Sequence, residues 1–141
     1  MNGSNDIFVL DTSALLTFIE DEDGSEHVEN LLLKAENSGD ALYVSFISLT
    51  EVFYITMQER DESEALKRVK LIQSLAVTIV ESNESISLQA GRLKATNKIS
   101  LADAYIAALC HELNGTLVHK DPEFERLATL IKEYRLPYKK L

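Results

Sequence analysis

Four short apolar runs recur along the chain: IFVL (7–10), ALYVSF (41–46), VTIV (77–80) and GTLVHK (115–120). Each leads into a longer stretch with helical signatures. A continuous apolar run of this length suits a strand buried on both faces of a parallel sheet. Strands that return only after helical crossovers lie parallel, with helices covering both faces. The pattern therefore predicts an α/β fold, a mostly parallel sheet of four to five strands inside an α/β/α sandwich.

The intervening stretches set the helices. One starts at about Ser13 and is broken by Gly24 and Ser25; a second spans 25–39 and ends at Gly39. Further helices are expected over 48–61, 62–75, 84–97 and 100–113, the last ending at Gly115. A final helix is expected over 122–134, with an edge strand over 136–141. No repeat or linker interrupts the 141 residues, a length that suits one domain, 1–141, with a real core. No apolar run reaches the roughly 20 residues of a membrane span. The opening MNGSND lacks the basic and apolar regions of a secretory signal, and the one cysteine, Cys110, fits a reducing cytoplasm.

In parallel sheets, ligand sites form at the carboxyl ends of the strands. Asp11 stands at one such end and Asp121 just past another; Glu51 and Asp103 stand near helix starts. Each has an ordinary explanation. Thr12 or Ser13 can cap the first helix, with Asp11 merely favourable near its positive end. SLTE (48–51) matches a capping box with Ser48 at the N-cap, and SLAD (100–103) has the same shape. Asp121 can be an N-cap with Pro122 at the first helical position. Capping does not explain the company these acids keep. Asp103 lies within LADAYIAALC and Glu51 before VFYI, where a carboxylate is costly to bury unless paired or coordinated. Four acids converging on one sheet edge repel one another and favour a divalent cation, and an all-oxygen donor set suits Mg²⁺ or Mn²⁺. The net charge of −9 argues against charge-driven nucleic-acid binding and leaves room for a metal-neutralised cluster or a basic protein partner.

Taken together, VLDTSALL, SLTEVFYI and ISLADAYIAALCHELNGTLVHKDPEFERL resemble a PIN domain, most closely the VapC-type toxins, over nearly the whole chain. The resemblance implies a Rossmann-like α/β/α fold and Mg²⁺- or Mn²⁺-dependent endoribonuclease activity. It implies an acidic set of Asp11, Glu51, Asp103 and Asp121, with the hydroxyl of Thr12 or Ser13 near the metal. It also implies a homodimer held inactive by a cognate antitoxin. A PIN-fold assembly module without catalysis is the alternative; it predicts loss of one or more acids, and all four are present. A haloacid-dehalogenase-type phosphatase would carry a second Asp where Ser13 stands, and VTIVES lacks the phosphorylated Asp of a response-regulator receiver.

Within this scheme Asp11 and Asp103 hold the main ion, while Glu51 and Asp121 bind a second ion or orient water. Substrate phosphates need cations, and Arg92, Lys94, Lys98 and Lys120 lie near the motifs. Lys98, nearest the Asp103 helix, is the expected phosphate contact. Similar sequences carry Thr or Ser where this chain has His119, which is expected as an inert side chain at the site rim. Asp11 should lie close to Asp103, with no basic residue as the main partner of either.

Overall fold

The computed structural model describes residues 6–138. The MNGSN of the opening and residues 139–141 of the expected edge strand lie outside the described residues. Five strands form one parallel sheet: β1 (Ile7–Leu10), β2 (Ala41–Ser45), β3 (Thr78–Val80), β4 (Thr116–His119) and β5 (Lys132–Arg135), in the order β3-β2-β1-β4-β5. Six helices connect them: α1 (Thr12–Ile19), α2 (Ser25–Ser38), α3 (Phe46–Glu59), α4 (Glu62–Ser74), α5 (Glu84–Thr96) and α6 (Leu101–Leu113).

The strand pleat sorts the core into two halves. Successive side chains of a strand point to opposite faces. Val9 and Leu117 accordingly pack with Ile86, Ala90, Ile106 and Phe124 on the α5–α6 side. Leu10 and Val118 pack with Leu15, Val28, Val52 and Ile72 on the α1–α4 side. All four of these central strand residues are wholly buried, as the apolar runs require. The result is the three-layer α/β/α arrangement.

The order in which strands are added reverses at β1. The chain steps from β1 outward through β2 and β3, then returns to build β4 and β5 on the other side. The carboxyl ends of β1 and β4 therefore border the crevice where such sheets bind ligands. The two ends are tied directly, because the Asp11 N–H donates to Val118 O at 3.1 Å.

Several boundaries differ from the sequence expectations. Asp11, rather than Thr12 or Ser13, is the N-cap of α1, accepting from the Ala14 N–H. α3 starts at Phe46, capped by Ser45, so Ser48 and Glu51 lie inside the helix and form no capping box. The expected 122–134 helix is instead a 3-10 turn, Pro122–Leu127, followed by β5. Phe124, Leu127 and Ile131 repeat at helical spacing and share one apolar cluster, which explains the misreading. β5 forms because the open edge of β4 offers backbone partners, which no local pattern reveals. The edge strand is thus 132–135; the Leu136 N–H still donates to His119 O at 2.7 Å, but Leu136–Tyr138 lie beyond the strand.

At the end of α6, Asn114 and not Gly115 takes the left-handed conformation, at φ 52°. Gly115 answers a need for space instead. A Cβ there would sit 3.0 Å from Ile7 Cγ2 and 3.2 Å from Ile7 O. Gly115→Ala is expected to cost about 1–2 kcal/mol in urea unfolding through overpacking against β1. Unchanged stability would show that the β1–β4 spacing yields freely.

Candidate active site

The site begins where β1 turns into α1. Asp11 is 2% exposed. Its Oδ1 accepts from the Ala14 N–H at 2.9 Å, as an N-cap does. The Ser13 hydroxyl lies 2.7 and 2.9 Å from the two Asp11 oxygens, donating to that carboxylate, and accepts from the Lys120 N–H at 2.8 Å. Ser13 thereby joins the end of β1 to the residue that follows β4. Thr12 Oγ1 donates to Glu51 Oε1 at 2.6 Å and lies 3.0 Å from Ser48 Oγ, which fixes Glu51 of α3 on the Thr12 side of the crevice.

The second half comes from α6 and the 3-10 turn. Ser100 caps α6, its Oγ accepting from the Asp103 N–H at 3.1 Å, and the Asp103 side chain is buried. Asp121 caps the 3-10 turn, its Oδ1 accepting from the Glu123 N–H at 2.9 Å. Glu123 Oε1 in turn accepts from the Ser100 N–H at 3.3 Å. Carboxylate oxygens of Asp103, Asp121 and Glu123 lie within 4.8 Å of one another.

Electrostatics follow from this crowding. Burial pushes the Asp11 carboxyl up to about 7, against the hydrogen bonds from Ser13 and Ala14 and with added repulsion from Asp121. Burial also pushes Asp103 up to about 9, reinforced by its hydrogen bond with Glu123 and by the charges of Asp121, Asp11 and Glu123. Among the described residues, no lysine or arginine forms an ion pair with Asp11, Glu51, Asp103, Asp121 or Glu123. Buried carboxylates without a cationic partner are costly as anions.

The four acids singled out in the sequence are therefore distributed unevenly. Asp103 and Asp121 share the tight triad, Asp11 acts on both through its charge, and Glu51 stands outside the triad, held by Thr12. Glu123, passed over in the sequence, completes the triad. Its signal was its place two residues after a capping Asp, where its own N–H is the capped donor and its side chain starts beside that carboxylate.

The cations also sort. Lys98 is exposed and lines a groove of about 720 Å³ that runs along residues 94–100 to Glu123. Lys94 Nζ is spent on Ile99 O at 2.7 Å. Arg92 is exposed on α5, with Nη1 3.4 Å from Gln89 Oε1. Lys120 reaches the loop after α1, donating to Asp23 O at 2.9 Å and pairing with Glu22 at 3.7 Å. His119 is not at the rim but wholly buried behind Asp121. His111 is exposed and Cys110 is buried core, its Sγ donating to Gly115 O at 3.3 Å. His27 of α2 stacks on Tyr134 of β5 with ring centroids 3.9 Å apart.

Solved structures share this architecture. A chain of the VapBC2 complex from Rickettsia felis, bound to a DNA fragment from its promoter, matches with TM-score 0.73 and 21% identity, covering 93% of this chain and 99% of that one. VapBC-1 from nontypeable Haemophilus influenzae matches with TM-score 0.70 and 24% identity, over 92% and 97%. VapC20 from Mycobacterium tuberculosis, a Sarcin-Ricin loop cleaving toxin, matches with TM-score 0.68 and 17% identity, over 90% and 98%. At these identities the likeness is one of fold. No curated protein matches the chain. The family model of the PIN domain matches residues 8–130, which take in β1 from Phe8, β2 to β4 and every helix but not β5, and the chain belongs to the PIN domain family.

Proposed function

We propose that this chain is a divalent-metal-dependent endoribonuclease whose ion sits among Asp11, Asp103, Asp121 and Glu123. The observation that carries the reading is the cluster itself: carboxylates gathered at the β1–β4 crevice, two of them buried, with no described cationic partner. The donor set fits Mg²⁺ or Mn²⁺, since every ligand is an oxygen. Two ligands on one ion of this size lie up to about 4.2 Å apart, so oxygens within 4.8 Å close on it with small side-chain shifts. When bound, such an ion lowers the pKa of a coordinated water and polarises a phosphoryl oxygen.

The protein's own residues supply the rest. Ser13 and the Ala14 N–H hold the Asp11 carboxylate on the crevice side of α1. Thr12 aims Glu51, leaving its second oxygen to orient a water or a further ion. Lys98 faces a groove that ends at Glu123, where it can take a substrate phosphate without neutralising the cluster. Lys98→Ala is expected to raise KM for RNA about 3- to 10-fold, with kcat within twofold, in steady-state cleavage assays. An unchanged KM would remove Lys98 from the substrate path.

The partners follow by extension. The VapBC family is one of toxin–antitoxin systems, and we read this chain as a toxin of that kind, acting in the cytoplasm as a homodimer with a cognate antitoxin. A net charge of −9 favours a basic partner. Exposed apolar residues on α3 and α4, Tyr54, Met57, Leu66 and Leu71, offer it or a second copy a surface. The direct test is incubation of the purified chain with structured RNA in Mg²⁺ and in EDTA. Cleavage that EDTA abolishes is expected; cleavage indifferent to EDTA would overturn the metal-dependent reading.

A further inference from the structure

His119 closes β4 and is wholly buried against Phe124. Its Nδ1 lies 3.1 Å from the Asp121 backbone nitrogen. A backbone N–H can only donate, so Nδ1 is the acceptor and the ring proton sits on Nε2. That Nε2–H donates to Glu133 Oε1, on β5, at 2.9 Å. Arg135 Nε donates to the same oxygen at 2.8 Å. Burial alone would push the Glu133 carboxyl up; the hydrogen bonds from Arg135 and His119 outweigh it and keep the group a carboxylate acceptor.

The two amides that follow β4 are thus held by different elements. Lys120 N–H goes to Ser13 on α1, and Asp121 N–H goes to His119. Together they fix the two peptides that flank Lys120, and the bond to His119 sets the one that ends at the Asp121 Cα. Glu133 thus acts on the Asp121 backbone through the His119 ring, which it holds with Nδ1 as acceptor.

We propose that His119 is a positioning residue: its Nδ1, kept an acceptor by the Nε2–H bond to Glu133, fixes the Asp121 backbone and so directs the Asp121 carboxylate to Asp103 and Glu123. This inference rests on reading that cluster as a divalent-ion site. Two near-isosteric variants separate its halves. In His119→Asn the amide oxygen replaces the Nδ1 acceptor and loses Glu133; in His119→Gln the amide reaches Glu133 and leaves the Asp121 N–H without an acceptor.

The experiment is calorimetric titration of Mn²⁺ into the full chain, with melting of each variant and steady-state RNA cleavage alongside. His119→Gln is expected to weaken Mn²⁺ binding about 10- to 100-fold and to lower kcat, with KM for RNA within twofold. His119→Asn is expected to bind Mn²⁺ within about threefold of wild type even where its Tm falls. Should His119→Gln not fold, Glu133→Ala, on the edge strand, is expected to weaken Mn²⁺ binding about 3- to 10-fold. Wild-type affinity in His119→Gln, or in Glu133→Ala where that variant replaces it, overturns the proposal; so does equal loss in His119→Gln and His119→Asn in step with Tm. A wild-type chain that takes up no Mn²⁺ overturns the ion-site reading, and this proposal with it.

Discussion

Asp103→Asn is expected to lower Mg²⁺-dependent RNA cleavage by about a thousandfold while leaving the fold intact. The side chain keeps its size, and the α6 cap is untouched because Ser100 binds the Asp103 backbone N–H. What disappears is a carboxylate oxygen of the triad, and with it one ligand of the proposed ion that would stabilise the charge developing on phosphate. The metal-free variant should also be more stable than wild type at pH 8, because folded wild type must hold on Asp103 a proton that the unfolded chain releases, and an amide has no such proton to hold. This pairing separates a lost site from a lost fold. Glu36→Gln, on the exposed surface of α2, serves as the control and should cleave normally. Cleavage by Asp103→Asn within threefold of wild type would remove Asp103 from the site.

The metal-free protein is expected to lose stability as pH rises, with Tm falling by on the order of 10 °C between pH 5 and pH 8. Asp11 and Asp103 are carboxyls whose folded pKa values lie above the ordinary 3.8, at about 7 and about 9. Between 3.8 and those values the folded chain holds more protons than the unfolded chain. Stability therefore declines with pH through that window and levels only above the folded pKa. Raising the Asp11 pKa from 3.8 to about 7 alone costs on the order of 4 kcal/mol at pH above 7. Saturating Mn²⁺ should restore Tm strongly at pH 8 and little at pH 5, where protons hold the ligands. Thermal melting with and without Mn²⁺ at the two pH values measures this. A metal-free Tm that rises toward pH 8, or equal Mn²⁺ increments at both pH values, would contradict the picture of mutually repelling buried carboxylates.

The sheet was legible because β1, β2 and β4 are apolar on both faces, and Val9/Leu10 and Leu117/Val118 use both. β5 was not. KEYR carries three charged residues, and only the open edge of β4 makes it a strand. The crevice acids were legible as residues that sit at strand ends and helix starts. Their division of labour was not, because it depends on side chains meeting across elements. Thr12 draws Glu51 away from the triad, and the Asp121 cap draws Glu123 in. Capping and site chemistry coincide at Asp11, which caps α1 while its charge acts on Asp103. Lys120 shows the limit from the other side. Next to Asp121 in sequence, its ammonium is taken by the Glu22–Asp23 loop, 97 residues earlier.

The central claim, that the β1–β4 crevice is a divalent-ion site, is tested most directly by titrating Mn²⁺ into the purified protein at pH 7.5 by calorimetry in two buffers of different ionisation enthalpy. Without metal, Asp103 and part of the Asp11 population carry protons at this pH. Binding must expel them. The account predicts saturable Mn²⁺ binding with net proton release, seen as a buffer-dependent heat, and loss of both in Asp103→Asn. Binding that releases no protons, or the absence of binding to the folded chain, would contradict it.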